Sequence, residues 1–125
     1  MRLESYRIRF LRFNKDLIFG YVRRGNAFIA EPEKALLDSL NYGEYAYISE
    51  ALESGISDGT INVDKLVTYA GMFSNKSLMN RLGFFLEHYC GIERKELLKH
   101  ASAMPVHLSK KTNKYDKKWR VYYGG

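Results

Sequence analysis

Arginine and lysine side chains alternate with apolar ones at both ends of the chain, and their natural chemistry is with phosphate. Residues 5–13 read SYRIRFLRF, which sets Arg7, Arg9 and Arg12 against Tyr6, Ile8, Phe10 and, less regularly, Phe13. A period of two is that of a strand with an apolar inner face and a basic outer face. Arg23 and Arg24 stand at a turn, and Lys110, Lys111, Lys114, Lys117, Lys118 and Arg120 crowd the other end. If the two ends pair, these side chains share one surface that neutralises phosphates and releases their counterions. Tyr21, Tyr115 and Tyr122 are interleaved with the cations, where they can stack on bases or pack beneath the arginines. A plainer reading also fits: basic residues on exposed strands keep sheet edges from pairing with other chains.

Other chemistries find less support. Phosphodiester cleavage requires a divalent ion held by carboxylate oxygens, and Asp116-Lys117-Lys118 and Glu93-Arg94-Lys95 have a loosely suitable spacing. Neither has a partner carboxylate on a neighbouring predicted strand, and Glu93 stands at a helix start, where the dipole explains it. His88, His100 and His107 form no pair four residues apart and have no cysteine at zinc-like spacing. Cys90 is the single cysteine and ends an apolar helix, which makes it a buried thiol rather than a nucleophile or ligand. No Ser-His-Asp order, P-loop or glycine-rich dinucleotide signature is visible, so no catalytic site and no cofactor or metal site is expected.

The elements that position these residues are organised around residues 19–40, FGYVRRGNAFIAEPEKALLDSL. Alternation at residues 17–23 predicts a strand, Arg24-Gly25-Asn26 a tight turn, and AFIA at 27–30 the returning strand. Pro32 is placed as a first helical residue, Glu31 and Glu33 face the positive end of the helix dipole, and Leu36, Leu37 and Leu40 line one side. This helix is expected to lie on the sheet at the centre of the core. Further helices are expected at 44–54, with Gly55 ending it, at about 62–70 capped by Thr60 or Asn62, at 74–90 capped by Ser74, and at 93–101. Gly83 inside the longest helix costs about 1 kcal/mol relative to Ala and suggests that another backbone packs there. VHL at 106–108 and WRVYY at 119–123 complete the strands, the latter with Trp119, Val121 and Tyr123 inward and Arg120 and Tyr122 outward.

These readings give one α+β domain over residues 1–125, with a mainly antiparallel sheet built from both chain ends and several helices packed against it. At 46% hydrophobic and 14% aromatic residues, the chain has the composition of a folded domain. The charge is unevenly placed. Residues 1–24 hold seven Lys or Arg against Glu4 and Asp16, residues 107–125 hold six against Asp116, and the middle holds seven against eleven acidic residues. Positive charge thus belongs to the predicted strands and negative charge to the helices. No signal peptide and no apolar run near the roughly 18 residues of a membrane span is present, so a cytoplasmic protein without a membrane partner is expected.

Three segments carry a resemblance. Pro32-Glu33-Lys34-Ala35-Leu36-Leu37-Asp38, then Arg81-Leu82-Gly83-Phe84-Phe85-Leu86-Glu87, then Trp119-Arg120 in a basic strand, stand in this order. In these the chain resembles the C-terminal domain of AbiEi-type antitoxins and transcriptional regulators of type IV toxin-antitoxin systems. That family usually also carries an N-terminal winged-helix domain, for which no room is expected ahead of residues 1–13. The resemblance implies a non-catalytic protein that counters a nucleotidyltransferase-like toxin and helps an attached winged helix bind DNA. A metal-dependent nuclease domain and a protein-interaction module without a nucleic-acid role are the alternatives.

Overall fold

The computed structural model describes residues 21–24, 27–43, 45–109 and 112–124, with the backbone alone for those of 21–28. The strand expected at 5–13 and the start of the next lie outside the described residues. Strands β1 (Tyr21–Arg24) and β2 (Ala27–Ala30) pair antiparallel, Arg24 opposite Ala27, as expected. Four helices follow: α1 (Pro32–Asn41), α2 (Ile48–Ser57), α3 (Val63–Ala70) and α4 (Lys76–Cys90). A 3-10 turn of helix, Lys95–His100, leads to β3 (Val106–His107), β4 (Lys114–Asp116) and β5 (Val121–Tyr123). The fold is α+β, and among the described residues no helix is long and apolar enough to cross a membrane.

Within that class the sheet layout differs from expectation. The described strands form two separate sheets, β1–β2 and a mixed one ordered β3–β5–β4, in which β3 runs parallel to β5 and β4 antiparallel to it. Helix α1 packs against α2, α3 and α4 rather than on a sheet. The reason is apolar area: Leu36, Leu37, Leu40, Leu52, Leu66, Leu78, Leu82 and Leu86 bury their side chains against one another, and strands of two to four residues offer too little surface to cover them. Helix α4 bridges the helical core and the C-terminal sheet, touching both β3 and β5.

Local signals explain most boundaries. Pro32 opens α1 at its first position, and the Asn62 side chain caps α3 by accepting the Lys65 N–H. Helix α4 is capped by Asn75, which accepts the Ser77 N–H, and not by Ser74 one residue earlier. Helix α2 begins later than expected, at Ile48, and runs through Gly55, because this glycine is a contact point and not a stop. A Cβ there would lie 2.6 Å from Ile61 Cδ1.

Gly83 follows the same logic on a larger scale. Its neighbour is the indole of Trp119, not another backbone: a Cβ at residue 83 would stand 2.1 Å from Trp119 Cζ3. Trp119 is fully buried. Gly83→Ala therefore sets two effects against each other. Alanine favours the helix by about 1 kcal/mol, but the added methyl collides with a ring held on several sides, and overpacking of this kind costs about 1–3 kcal/mol. We expect the collision to win, with a lower urea midpoint at unchanged slope; stability equal to or above that of the wild type would show that the indole does not depend on this notch.

Candidate nucleic-acid interface

The C-terminal sheet is held by a knot of side chains around Trp119. Asn80, buried on α4, donates through Nδ2 to the carbonyls of Trp119 (2.7 Å) and Ser102 (3.1 Å), and its Oδ1 accepts the Ser102 N–H (2.7 Å). Arg120 Nε donates to the same Ser102 carbonyl at 2.9 Å. Asp116 Oδ1 accepts the Trp119 N–H at 2.8 Å, and Glu87 Oε2 accepts the indole N–H at 3.3 Å. Arg120 has φ 55, a left-handed conformation that a non-glycine residue adopts only when its surroundings fix it. The carbonyl of Arg120 then accepts the Val106 N–H, which starts the parallel pairing of β3 with β5.

This knot decides which side chains face outward. Val106 and Val121 are buried toward α4, while Tyr123 packs on Phe84 with ring centroids 4.7 Å apart. On the opposite face, Tyr122 lies between His107 and Tyr115, each centroid 4.4 Å away. His107 and Tyr122 are nearly parallel at 11°; Tyr115 and Tyr122 are tilted by 40°. Strand register produces the row directly, since Tyr122 of the central strand pairs with His107 on one side and Tyr115 on the other.

The basic residues singled out from sequence divide into three groups. Arg7, Arg9, Arg12, Lys110 and Lys111 lie outside the described residues, and Arg23 and Arg24 are placed on β1 by backbone alone. Lys114 and Lys117 are exposed, with the Lys114 ammonium 5.9 Å from the Tyr123 ring centre. Lys118 pairs closely with Glu87, which raises its pKa, and Arg120 is engaged with Ser102 as above. Of the singled-out residues whose side chains are described, Lys114 and Lys117 are therefore the ones most open to an incoming anion. The carboxylates of the nuclease alternative are likewise engaged, Asp116 with the Trp119 N–H and Glu93 with Lys95 and Lys118 at 3.6 Å each. Among the described residues no three His, Cys, Asp or Glu side chains gather where they could hold a metal ion.

Sequence reasoning missed the most deeply buried charges. Lys34 and Asp38, one turn apart on α1, form an ion pair of 2.6 Å with both side chains fully inaccessible. A Lys and an Asp four residues apart ordinarily mark a solvent-facing pair, so nothing in the spacing announced burial. Burial lowers the Lys34 ammonium below its ordinary value and pushes the Asp38 carboxyl up to about 6, the mutual attraction offsetting both only in part. Among the described residues Asp38 Oδ2 accepts no hydrogen bond. Beside this pair, Glu33 Oε2 accepts the Asn62 N–H at 2.7 Å, and Glu31 accepts from Lys65 Nζ (2.8 Å) and the Tyr69 hydroxyl (2.6 Å), which hold its carboxyl below the usual range. These two glutamates thus tie α1 to α3 in addition to facing the helix dipole. An open groove of about 780 Å³ runs between α1 and α2, and among the described residues its lining from Pro32 and Leu36 to Tyr47 and Ile61 carries no carboxylate, histidine or cation.

Set against known proteins, no family model matches the chain, and neither does any curated protein or solved structure.

The buried pair yields two expected outcomes. Removing one partner strands a buried charge and costs about 3–5 kcal/mol, whereas removing both and filling the space costs less. Urea unfolding should therefore rank the Lys34→Met, Asp38→Leu double variant as more stable than Asp38→Leu alone; additive losses would sink this account. The pH dependence follows from the same carboxyl. Its folded-state value of about 6 lies above the ordinary 3.8, so between these values the native state binds more protons than the unfolded chain. Asp38 thus favours folding below about pH 4, and that contribution is lost as pH rises to about 6. The double variant should gain stability relative to wild type across that window and then hold level, as read by melting at several pH values.

Proposed function

We propose that this chain is a non-catalytic domain of the AbiEi antitoxin and regulator type, acting in the cytoplasm, where it counters a nucleotidyltransferase-like toxin and adds phosphate contacts to DNA binding. The observation that supports it most is the convergence of the three motif segments. The Pro32–Asp38 segment supplies the buried Lys34–Asp38 pair of α1, the Arg81–Glu87 segment supplies the Gly83 notch and the Glu87 acceptor on α4, and Trp119-Arg120 fills that notch and bonds to Ser102. Side chains that sequence alone leaves as isolated matches belong to one packed core in which α1 and the C-terminal sheet both rest on α4. Lys34 pairs with Asp38, and Glu87, Trp119 and Arg120 are committed to contacts within the fold, which suits a scaffold better than a catalytic centre. The nuclease alternative is less favoured because Asp116 is committed to the turn that seats Trp119.

In this reading the domain works by charge. Acidic residues of the middle segment are drawn into contacts between elements, such as Glu31 with Lys65, Asp64 with Arg94 and Glu87 with Lys118. The basic residues at the two ends remain in excess, six against one in residues 107–125. Phosphate contacts of this kind position a protein on DNA without reading sequence, so the domain alone binds duplexes with little sequence preference.

Fluorescence anisotropy with a labelled random duplex, titrated at low and near-physiological salt, tests the reading. Each neutralised phosphate contributes about −0.9 to the slope of log K against log salt. Arg7→Glu with Arg9→Glu should weaken binding and flatten that slope by about 2, with the circular dichroism spectrum unchanged. Binding that ignores salt, or an affinity unaffected by the charge reversal, would overturn it.

A further inference from the structure

We infer that the outward row His107–Tyr122–Tyr115 is a stacking platform for the unpaired bases of single-stranded nucleic acid, an inference that rests on the nucleic-acid reading above and gives it a second, uncharged component. The platform is built by register. The three rings stand side by side on three hydrogen-bonded strands, 4.4 Å apart at each step. That spacing leaves Tyr122 sandwiched and half-buried, while His107 and Tyr115 end the row, both exposed. Among the described residues no further ring contacts either end. Both end rings are exposed, so a purine or pyrimidine can continue the stack at Tyr115 or at His107.

Three features commit the platform to this occupant. First, the rings are polar-edged: the tyrosine hydroxyls and His107 Nε2 can meet wet base edges, His107 Nδ1 lying 3.5 Å from the Thr112 hydroxyl, whereas an aliphatic docking partner would leave these groups unpaired. Second, the surroundings carry the charge that a sugar-phosphate backbone needs. Residues 107–125 hold six Lys or Arg against Asp116, and of the described ones Lys117 is exposed in the turn after β4 and Lys114 at the sheet edge, toward Tyr123. Third, bases within a duplex are already stacked on their neighbours and hide their faces, so the ring faces at the two ends of the row select strands whose bases are free. Base stacking on aromatic side chains is worth about 1–3 kcal/mol per base and tolerates every base, because each has a π-face. Broad rather than sequence-specific binding follows.

Anisotropy at one fixed salt concentration, with labelled strands of equal length, separates stacking from charge. The strands are an oligodeoxyadenylate, an oligoriboadenylate, an abasic sugar-phosphate strand and a random duplex. We expect the better adenylate to bind at least about 5-fold more tightly than the abasic strand, whichever sugar it carries, and the preferred sugar then identifies the source. Tyr115→Ala should reduce adenylate affinity by about 5- to 150-fold, leave the abasic strand unaffected, and be rescued by Tyr115→Phe; His107→Ala should act in the same direction. Tyr115 is at the end of the row and outside the core, so its truncation leaves the fold intact, as circular dichroism will show. Equal affinity for adenylate and abasic strands, or adenylate binding unchanged in Tyr115→Ala, would overturn the platform while salt-sensitive duplex binding kept the phosphate reading. Absence of binding to every strand at low salt would overturn both.

Discussion

The seating of Trp119 against Gly83 is the contact on which the rest of the structure depends. Strands of two and three residues do not form a stable sheet alone, and the loop from residue 108 to 120 must return on itself before β3 and β5 can pair in parallel. The buried indole supplies the anchor. Its ring enters the space that a side chain at residue 83 would occupy, and its carbonyl, N–H and ring nitrogen are bonded to Asn80, Asp116 and Glu87 respectively. A large aromatic group with every polar atom satisfied has one favourable position, and that position fixes where β5 begins. Deleting such a ring typically costs about 3–5 kcal/mol, a substantial part of the stability of a domain of this size.

The helical half of the molecule solves a different problem. Helix α1 lies among α2, α3 and α4, and together with its N-cap it carries four charges in its first turns, at Glu31, Glu33, Lys34 and Asp38, that the core must accommodate. Glu31, partly exposed, and Glu33, buried, do so by accepting from α3 and the residue before it. Lys34 and Asp38 do so inside, where their attraction only partly offsets desolvation. A pair of leucines would stabilise the core more simply. The ion pair instead restricts how α1 can rotate, because a turn of the helix in either direction would expose Leu37 and Leu40 and separate the charges from their place beside Phe73.

Much of this was legible in sequence, and the exceptions share a physical cause. Periodicity and punctuation marked α1, α3 and α4 and the β1–β2 pairing, because Pro32, Asn62 and Gly91 act through local backbone geometry. What escaped were contacts between distant residues whose local signals point elsewhere. Gly83 and Gly55 look like weak points in helices, and only the fold shows the indole and the isoleucine that occupy the vacated space. Lys34 and Asp38 carry the spacing of a solvent-facing pair. Of the candidate interface, the alternation in WRVYY placed Tyr122 outward, but the register that aligns it with His107 and Tyr115 depends on a loop reversal that no periodicity encodes.

The distribution of charge links these parts. Carboxylates of the helices are spent on joining elements, and Lys118 is the cation through which α4 claims a share of the basic segment. Glu87 therefore has two partners with different duties: it takes the indole N–H through one oxygen and Lys118 through the other. The same residue holds Trp119 in its notch and removes one lysine from the outward charge. A sheet fixed in this way presents its aromatic row without further ordering of the backbone, so a ligand stacking on it forfeits little of its binding energy to organising the site. Rigidity of the row is thus a property of the core beneath it, transmitted through Tyr122 and Val121 of one three-residue strand whose alternate side chains face the two sides.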